Sequence, residues 1–195
     1  MQVQALNRCD WCTDNPLYMA YHDQAWGVPV HDDRVLFEFL ILESMQAGLN
    51  WLTILKKRDN FRRAFANFDP EKVACFTDKD QQDLMQDAGI IRNRLKIESA
   101  INNAKQFLVM QTEYGSFSKF LWDFVGGKPI QNHYKQHADI PAKTELSDKL
   151  SKTLKKHGFR FVGSTICYAY MQAVGLVNDH LTTCHCYNVA ASSEK

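Results

Sequence analysis

The sequence predicts an all-α protein, and three observations carry that expectation. Apolar residues recur at helical spacing along most of the chain, no stretch shows the apolar/polar alternation of a strand, and capping residues stand where several periodic runs begin. With 195 residues, 45% of them hydrophobic and 23% charged, the chain can build one core and is too apolar for a disordered polymer. A single domain over 1–195 is expected.

The elements follow in order. DDRVLFEFLILESMQAGLNWLTILKKR opens with Asp32 and Asp33 as caps and is apolar nearly all round. It predicts a buried central helix, or two helices in sequence. NFRRAFANF puts Phe61, Phe65 and Phe68 on one helical face, and Asp69-Pro70 starts a short helix through Cys75. Thr77 with Asp80 reads as a capping box, leading to a stop at Gly89. A long helix is expected from about Arg92 to Glu113, facing inward with Ile97, Ile101, Ala104 and Leu108. SFSKFLWDFV makes another, closed by Gly126-Gly127. KPIQNHYKQHADIPAKTE is a polar connection, Ser147 caps the next helix, and Gly163 to Val177 forms the last.

No apolar run reaches the roughly 18 residues of a membrane span, so no membrane contact is expected. MQVQALNRCDWCTDNPLY has no apolar segment behind a basic start, so no secretory signal is visible. A cytoplasmic protein is expected, with its six cysteines ligating or buried rather than paired. Net charge is only +1. Basic clusters at Lys56–Arg63, Arg92–Lys96 and Lys152–Arg160 allow one basic face, although each alone reads as a solvated helix surface.

Metal-type residues gather at both ends. Cys9 and His22 lie early; His180 and Cys184 lie late, four apart, and meet if that segment makes one helical turn. Two thiolates and two imidazoles suit a closed tetrahedral zinc site. Cys12, His185 and Cys186 compete as ligands, and Cys9-x-x-Cys12 has a redox reading without βαβ context. Spacing alone leaves the set open. Glu43 sits in an apolar helical run, where a carboxyl is costly to bury without a partner or a polar ligand. Trp11, Tyr18, Tyr21, Trp26 and Trp51 are near it in sequence. Aromatics are more often core, but with a buried acid they can wall a pocket for a flat, cationic ring. In LMQDAGIIRNRLKI, Leu84 to Ile97, one helix ends at Gly89 and another starts with arginines. Amides there can hold a phosphate, while an ordinary αα-hairpin is the commoner reading.

Together these segments resemble the 3-methyladenine DNA glycosylase I family, within the helix-hairpin-helix glycosylases. The resemblance runs from RCDW at Arg8 to CHCY ending at Tyr187. It is carried by NPLYMAYHDQAWGVP, LILESMQAGLNWLTILKKR, DAGIIRNRLKI and KKHGFRFVGSTICYAYMQAVGLVNDH. It implies a compact helix-hairpin-helix fold of two helical lobes with a zinc site joining the N- and C-terminal segments. It also implies a DNA repair enzyme that excises 3-methyladenine from alkylated double-stranded DNA. The implied zinc ligands are Cys9, His22, His180 and Cys184, with one structural Zn2+. The implied pocket has Glu43 and Tyr21 as catalytic residues, and Trp51, Trp11 and Tyr18 binding the base. The implied DNA contact is Gly89, Ile90, Ile91, Arg92 and Arg94. GIIR lacks the second glycine of the wider superfamily and the nearby lysine of its strand-cleaving members. A monofunctional hydrolase is therefore expected: a bacterial-type, nucleoid-associated monomer releasing free 3-methyladenine. Two other classes compete: a zinc-containing helical DNA-binding module without catalysis, and a small-molecule-binding helical protein.

Overall fold

The computed structural model describes residues 6–188; the two ends of the expected 1–195 domain lie outside the described residues. The described part is mainly helical, as expected. α1 (Pro16–Gln24) was not anticipated from sequence. Asn15 caps it, accepting from the Leu17 amide at 3.0 Å, and Pro16 supplies the preset first turn. α2 (Asp33–Gln46) is the central helix, buried continuously from Leu36 to Met45. The two aspartates before it divide their work. Asp32 caps α2 itself, while the Asp33 carboxylate accepts from the Phe117 and Ser118 amides at 2.9 and 2.7 Å, at the start of a different helix.

The long apolar run is two helices, parted at Gly48 with φ of +78°. Asn50 caps α3 (Trp51–Ala64). Phe61, Phe65 and Phe68 are all fully buried, but not on one helix. The chain leaves α3 at Ala64 and makes a 3-10 turn, Ala66–Phe68, with all three residues at positive φ. α4 (Pro70–Ala74) and α5 (Asp78–Gln86) follow, the latter with the expected Thr77/Asp80 capping box. α6 (Arg94–Tyr114) starts two residues later than expected because Asn93 is its cap. Its inner face ends in Phe107 and Met110 rather than Leu108, which is half-buried. α7 (Phe117–Asp123) is the helix capped in part by Asp33.

The polar connection is less structureless than its composition suggests. It holds β1 (Ile130–Gln131) and a 3-10 turn at His137–Asp139. α8 (Glu145–Lys156) is capped by Thr144, not Ser147; Ser147 is the third helical residue and completes a capping box with Thr144. α9 (Ser164–Ala173) stops before Val177. Residues Val177–Asn178 form β2, pairing in parallel with β1 through Ile130↔Val177 and Gln131↔Asn178. Gly175 forces the stop: its φ is +74°, and a Cβ there would lie 2.5 Å from backbone atoms of Val28 and Pro29. α2 packs against α3, α6, α7 and α9.

Candidate active site and metal cluster

The two chain ends meet at one buried cluster. The ligand atoms of Cys9, His22, His180 and Cys184 lie within 4.8 Å of one another. The segment between the last two makes a β-turn, closed by the Cys184 amide on the Leu181 carbonyl at 2.8 Å, rather than the helical turn expected. The spacing fits a metal quantitatively. Sγ of Cys9 is 3.6 Å from Nδ1 of His180, and Sγ of Cys184 is 3.5 Å from both His22 Nε2 and His180 Nδ1. A tetrahedral zinc with bonds of about 2.3 Å to sulfur and 2.0–2.1 Å to nitrogen requires S···N edges of about 3.5–3.6 Å.

The outer contacts fix each ligand. His22 turns Nδ1 to the Asp23 carboxylate at 2.8 Å, and Arg8 grips the same carboxylate with contacts of 2.7–3.1 Å. Those hydrogen bonds, the Arg8 one first, hold Asp23 down at about 2. His180 turns Nε2 to the Trp26 carbonyl at 3.1 Å. Each imidazole thus has one nitrogen engaged outward and the other turned to the cysteine sulfurs, His22 Nε2 also accepting from the Cys9 amide at 3.3 Å. The Leu181 and Cys186 amides donate to the Cys9 and Cys184 sulfurs, each at 3.4 Å. The Cys9–Cys184 hydrogen bond, helped by both histidines, lowers the Cys184 thiol. The same bond and burial raise Cys9. One thiolate is therefore favoured even among protein groups alone. The competing residues lie outside. Cys12 is only partly buried, and its thiol points toward the Thr13 carbonyl. His185 contacts Asp23, Cys186 and the Asn7 carbonyl. The trios Cys184–His185–Cys186 and His22–Asp23–Cys186 also bring donor atoms together, but neither has a fourth ligand, and His185 and Asp23 are already engaged.

This cluster backs onto a pocket of about 230 Å³, a scale suited to a nucleobase rather than a larger ligand. Asn50 organises one wall: its side-chain oxygen accepts from the Leu52 amide at 2.7 Å and the Tyr18 hydroxyl at 3.3 Å. That places Trp51, the first residue of α3, beside Tyr18. Trp51 and Tyr21 have ring centroids 5.4 Å apart. Trp11 packs edgewise on Tyr18 and Trp26, at 5.6 and 5.1 Å. Trp26 in turn meets the His180 ring at 4.6 Å, so the cluster and the pocket share a wall.

Glu43 lines this pocket from α2 and is 4% exposed. No hydrogen bond or ion pair reaches it from the described residues, and burial alone raises its pKa to about 8. Burial, then the Glu43 charge, raises the Tyr21 hydroxyl. The Trp51 indole N–H is buried without a hydrogen-bond partner; its approach to the Tyr21 hydroxyl falls outside hydrogen-bond geometry. The site-residue reading from sequence did not include Gln46, His137, Ile140, Ala169 and Gln172, which complete the lining. His137 and Ile140 come from the polar connection, where no periodic signal placed them. Gln172 lies on α9, four residues after the buried Tyr168, and its amide reads as ordinary helix surface in sequence.

The hairpin forms between α5 and α6. Lys57 and Asn60 of α3 hold it by donating to the Ala88 and Gly89 carbonyls at 2.8 and 3.2 Å. Gly89 leaves room for two side chains: a Cβ there would lie 2.8 Å from Asp87 Oδ1 and 3.1 Å from the Asn60 amide, so both would have to shift. Its amide already donates to Asp87 Oδ1 at 2.7 Å, and the Ile90 amide to the Asp87 carbonyl at 3.3 Å. Among the expected phosphate donors, only the Ile91 and Arg92 amides are left without a partner in the described residues. Ile90 is buried, Arg92 exposed, and Arg94 exposed and paired with Glu98 at 2.7 Å. The Lys56–Arg63 cluster is partly neutralised. Arg58 and Arg62 both converge on Glu38, and Arg62 also reaches Asp59.

A helical scaffold with an aromatic pocket and an unmet buried acid fits a protein that takes up a small, flat, polar ring. The methyladenine glycosylase family model matches residues 11–187, and the chain belongs to that family. It is 52% identical over 182 residues to the DNA-3-methyladenine glycosylase 1 of Escherichia coli K12, covering 93% of this chain and 97% of the relative. It is 49% identical over 179 residues to the DNA-3-methyladenine glycosylase of Haemophilus influenzae, covering 92% and 97%. A crystal structure of 3-methyladenine DNA glycosylase I superposes with a TM-score of 0.91 at 51% identity, covering 93% of this chain and all of that one. The Staphylococcus aureus enzyme, solved for its 3-methyladenine recognition, also gives 0.91 at 42% identity, covering 94% and 98%.

Proposed function

We propose that the protein excises 3-methyladenine from alkylated double-stranded DNA, hydrolysing the N-glycosidic bond of a flipped-out nucleotide and leaving an abasic site. The observation that carries this reading is Glu43: a buried carboxyl without a protein partner, in an aromatic pocket the size of a base. Methylation at N3 makes the base cationic in DNA, which already weakens the bond and lets the base leave neutral. Selecting the damaged base is then the harder task.

On this reading Trp51 stacks on the cationic ring, with Trp11 and Tyr18 enclosing it, a cation–π contribution of about 0.5–2 kcal/mol. Glu43 accepts from the exocyclic amine and favours the cation by its charge, worth roughly 1.5–3 kcal/mol. Tyr21 orients the ring. With its pKa near 8, Glu43 carries a proton in the empty pocket at neutral pH. A cation beside it favours the carboxylate, so binding expels that proton and affinity rises with pH toward 8. Water is the nucleophile, and Glu43 orients it only secondarily. Lys96 supports the absence of lyase chemistry: its amine is buried and spent on the Met45 and Ala47 carbonyls at 2.8 and 2.7 Å.

Cys9, His22, His180 and Cys184 would hold one structural zinc. Four protein ligands leave it no open position, so its contribution is to fix both chain ends and the Trp26 wall. The Ile91 and Arg92 amides, with Arg92 and Arg94, would take a DNA phosphate, Gly89 and Ile90 shaping the turn. The protein would act as one catalytic domain, a monomer in the bacterial cytoplasm; among the described residues no helix is long and apolar enough to cross a membrane. The test is base release from methylated duplex DNA. Free 3-methyladenine should appear with abasic sites and no strand cleavage before alkali. Binding without release would overturn the reading in favour of a DNA-binding module.

A further inference from the structure

Asp179 is a buried carboxylate, 1% exposed, on which three donors converge. The Tyr168 hydroxyl and Gln172 Nε2 reach Oδ2 at 2.6 and 2.8 Å, and Asn132 Nδ2 reaches Oδ1 at 2.6 Å. The Asp179 oxygens accept, so the Gln172 amide must present its NH2 to them. Gln172 also lines the base pocket. Its remaining polar atom, Oε1, has no partner among the described residues and can only accept.

We propose that Gln172 is a second base-recognition residue, an acceptor whose orientation is set by Asp179 acting as a positioning residue. The inference rests on the proposed base-excision reading and deepens it. An exocyclic amine has two N–H donors, and Glu43 and Gln172 supply two acceptors in one pocket. A base with a carbonyl at that edge would face acceptor against acceptor. The pair therefore selects 6-aminopurines over 6-oxopurines, beyond what charge and stacking can do, because both 3-methyladenine and 3-methylguanine are flat and, in DNA, cationic.

The test measures binding of free 3-methyladenine and free 3-methylguanine by quenching of the pocket tryptophans, using the metal-replete protein. Gln172→Met keeps the side-chain length and removes the acceptor. It should weaken 3-methyladenine about three- to tenfold and leave 3-methylguanine unchanged or tighter. Asp179→Asn frees the Gln172 amide to flip and should narrow the ratio of the two affinities by a similar factor. Equal loss of both bases in Gln172→Met, or no change in either, would overturn the proposal. If Asp179→Asn fails to fold, Gln172→Met alone still decides it. Base release by the unsubstituted protein is scored separately: its absence would sink the glycosylase reading, whereas an unchanged ratio with normal release would sink only the role of Gln172.

Discussion

The cysteine–histidine cluster and the base pocket are neighbours that share Trp26, and their polar groups are treated in opposite ways. In the cluster, every ring nitrogen facing outward has a carboxylate or carbonyl partner, and each sulfur receives an amide. In the pocket, among the described residues, Glu43 has no partner and the Trp51 N–H has none. A buried polar group left unmet costs free energy, so it persists where something outside the chain completes it. The cluster has its outward-facing groups satisfied and the four donors of a structural metal site. The pocket is unfinished and reads as the place where a ligand enters.

The comparison breaks most visibly at the metal. Cys184→Ala leaves three ligands and a buried orphan imidazole. It should abolish bound zinc and lower the melting temperature by about 10 °C or more, for a loss of at least ~3–5 kcal/mol. Elemental analysis beside calorimetry checks this; active, freshly purified protein with no zinc would remove the structural role.

Glu43 should behave in the reverse sense, with its replacement stabilising the fold. Its pKa rises from 4.5 to about 8 on folding. The folded state therefore holds the proton more tightly, stability from this group is intact below pH 4.5, and it is lost as pH climbs through 8. Glu43→Gln should then be more stable than the parent by a few kcal/mol at pH 9, with the gap closing toward pH 4.5. Parallel denaturation curves across that range would show a gap independent of pH if Glu43 were satisfied.

A smaller effect is expected at the stacking wall. Trp51→Ala should weaken free 3-methyladenine by about two- to tenfold through the lost stacking contact, read by fluorescence of the remaining tryptophans. Unchanged affinity would move the base to another face of the pocket.

The hairpin should matter to DNA and not to the base. Reversing Arg92 and Arg94 to glutamate should reduce the salt slope of DNA binding by about 2 or more while sparing free-base affinity. A parallel fall in both affinities would detach the hairpin from phosphate binding.

Much of this arrangement was legible in the residues. The helical class follows from periodicity and the Thr77/Asp80 box was readable locally, whereas α5 stops at Gln86 with Asp87 as its cap, three residues short of the expected stop at Gly89. Part of what escaped was set by contacts distant in sequence. Asp33 looks like a cap for its own helix, yet serves the Phe117 end of another. Ser147 looks like a cap because Thr144 lies outside the apolar run. The β1–β2 pair is two residues long, too short for an alternation signal. At the metal cluster, residue types were clear but the four-ligand set was not, since spacing cannot show that His185 and Cys12 point elsewhere. At the pocket, Glu43 was conspicuous as an acid in an apolar helix. Gln172 was not, because its meaning depends on Asp179.

The central claim is that Glu43 recognises a cation and is not an obligatory base. Single-turnover excision of 3-methyladenine from methylated duplex DNA by Glu43→Gln and Glu43→Ala tests it most directly. The amide should retain measurable excision, reduced about ten- to a hundredfold by loss of the charge-assisted contact, and alanine should lose more. Complete loss in Glu43→Gln, with folding and free-base binding intact, would contradict the account and make Glu43 the general base.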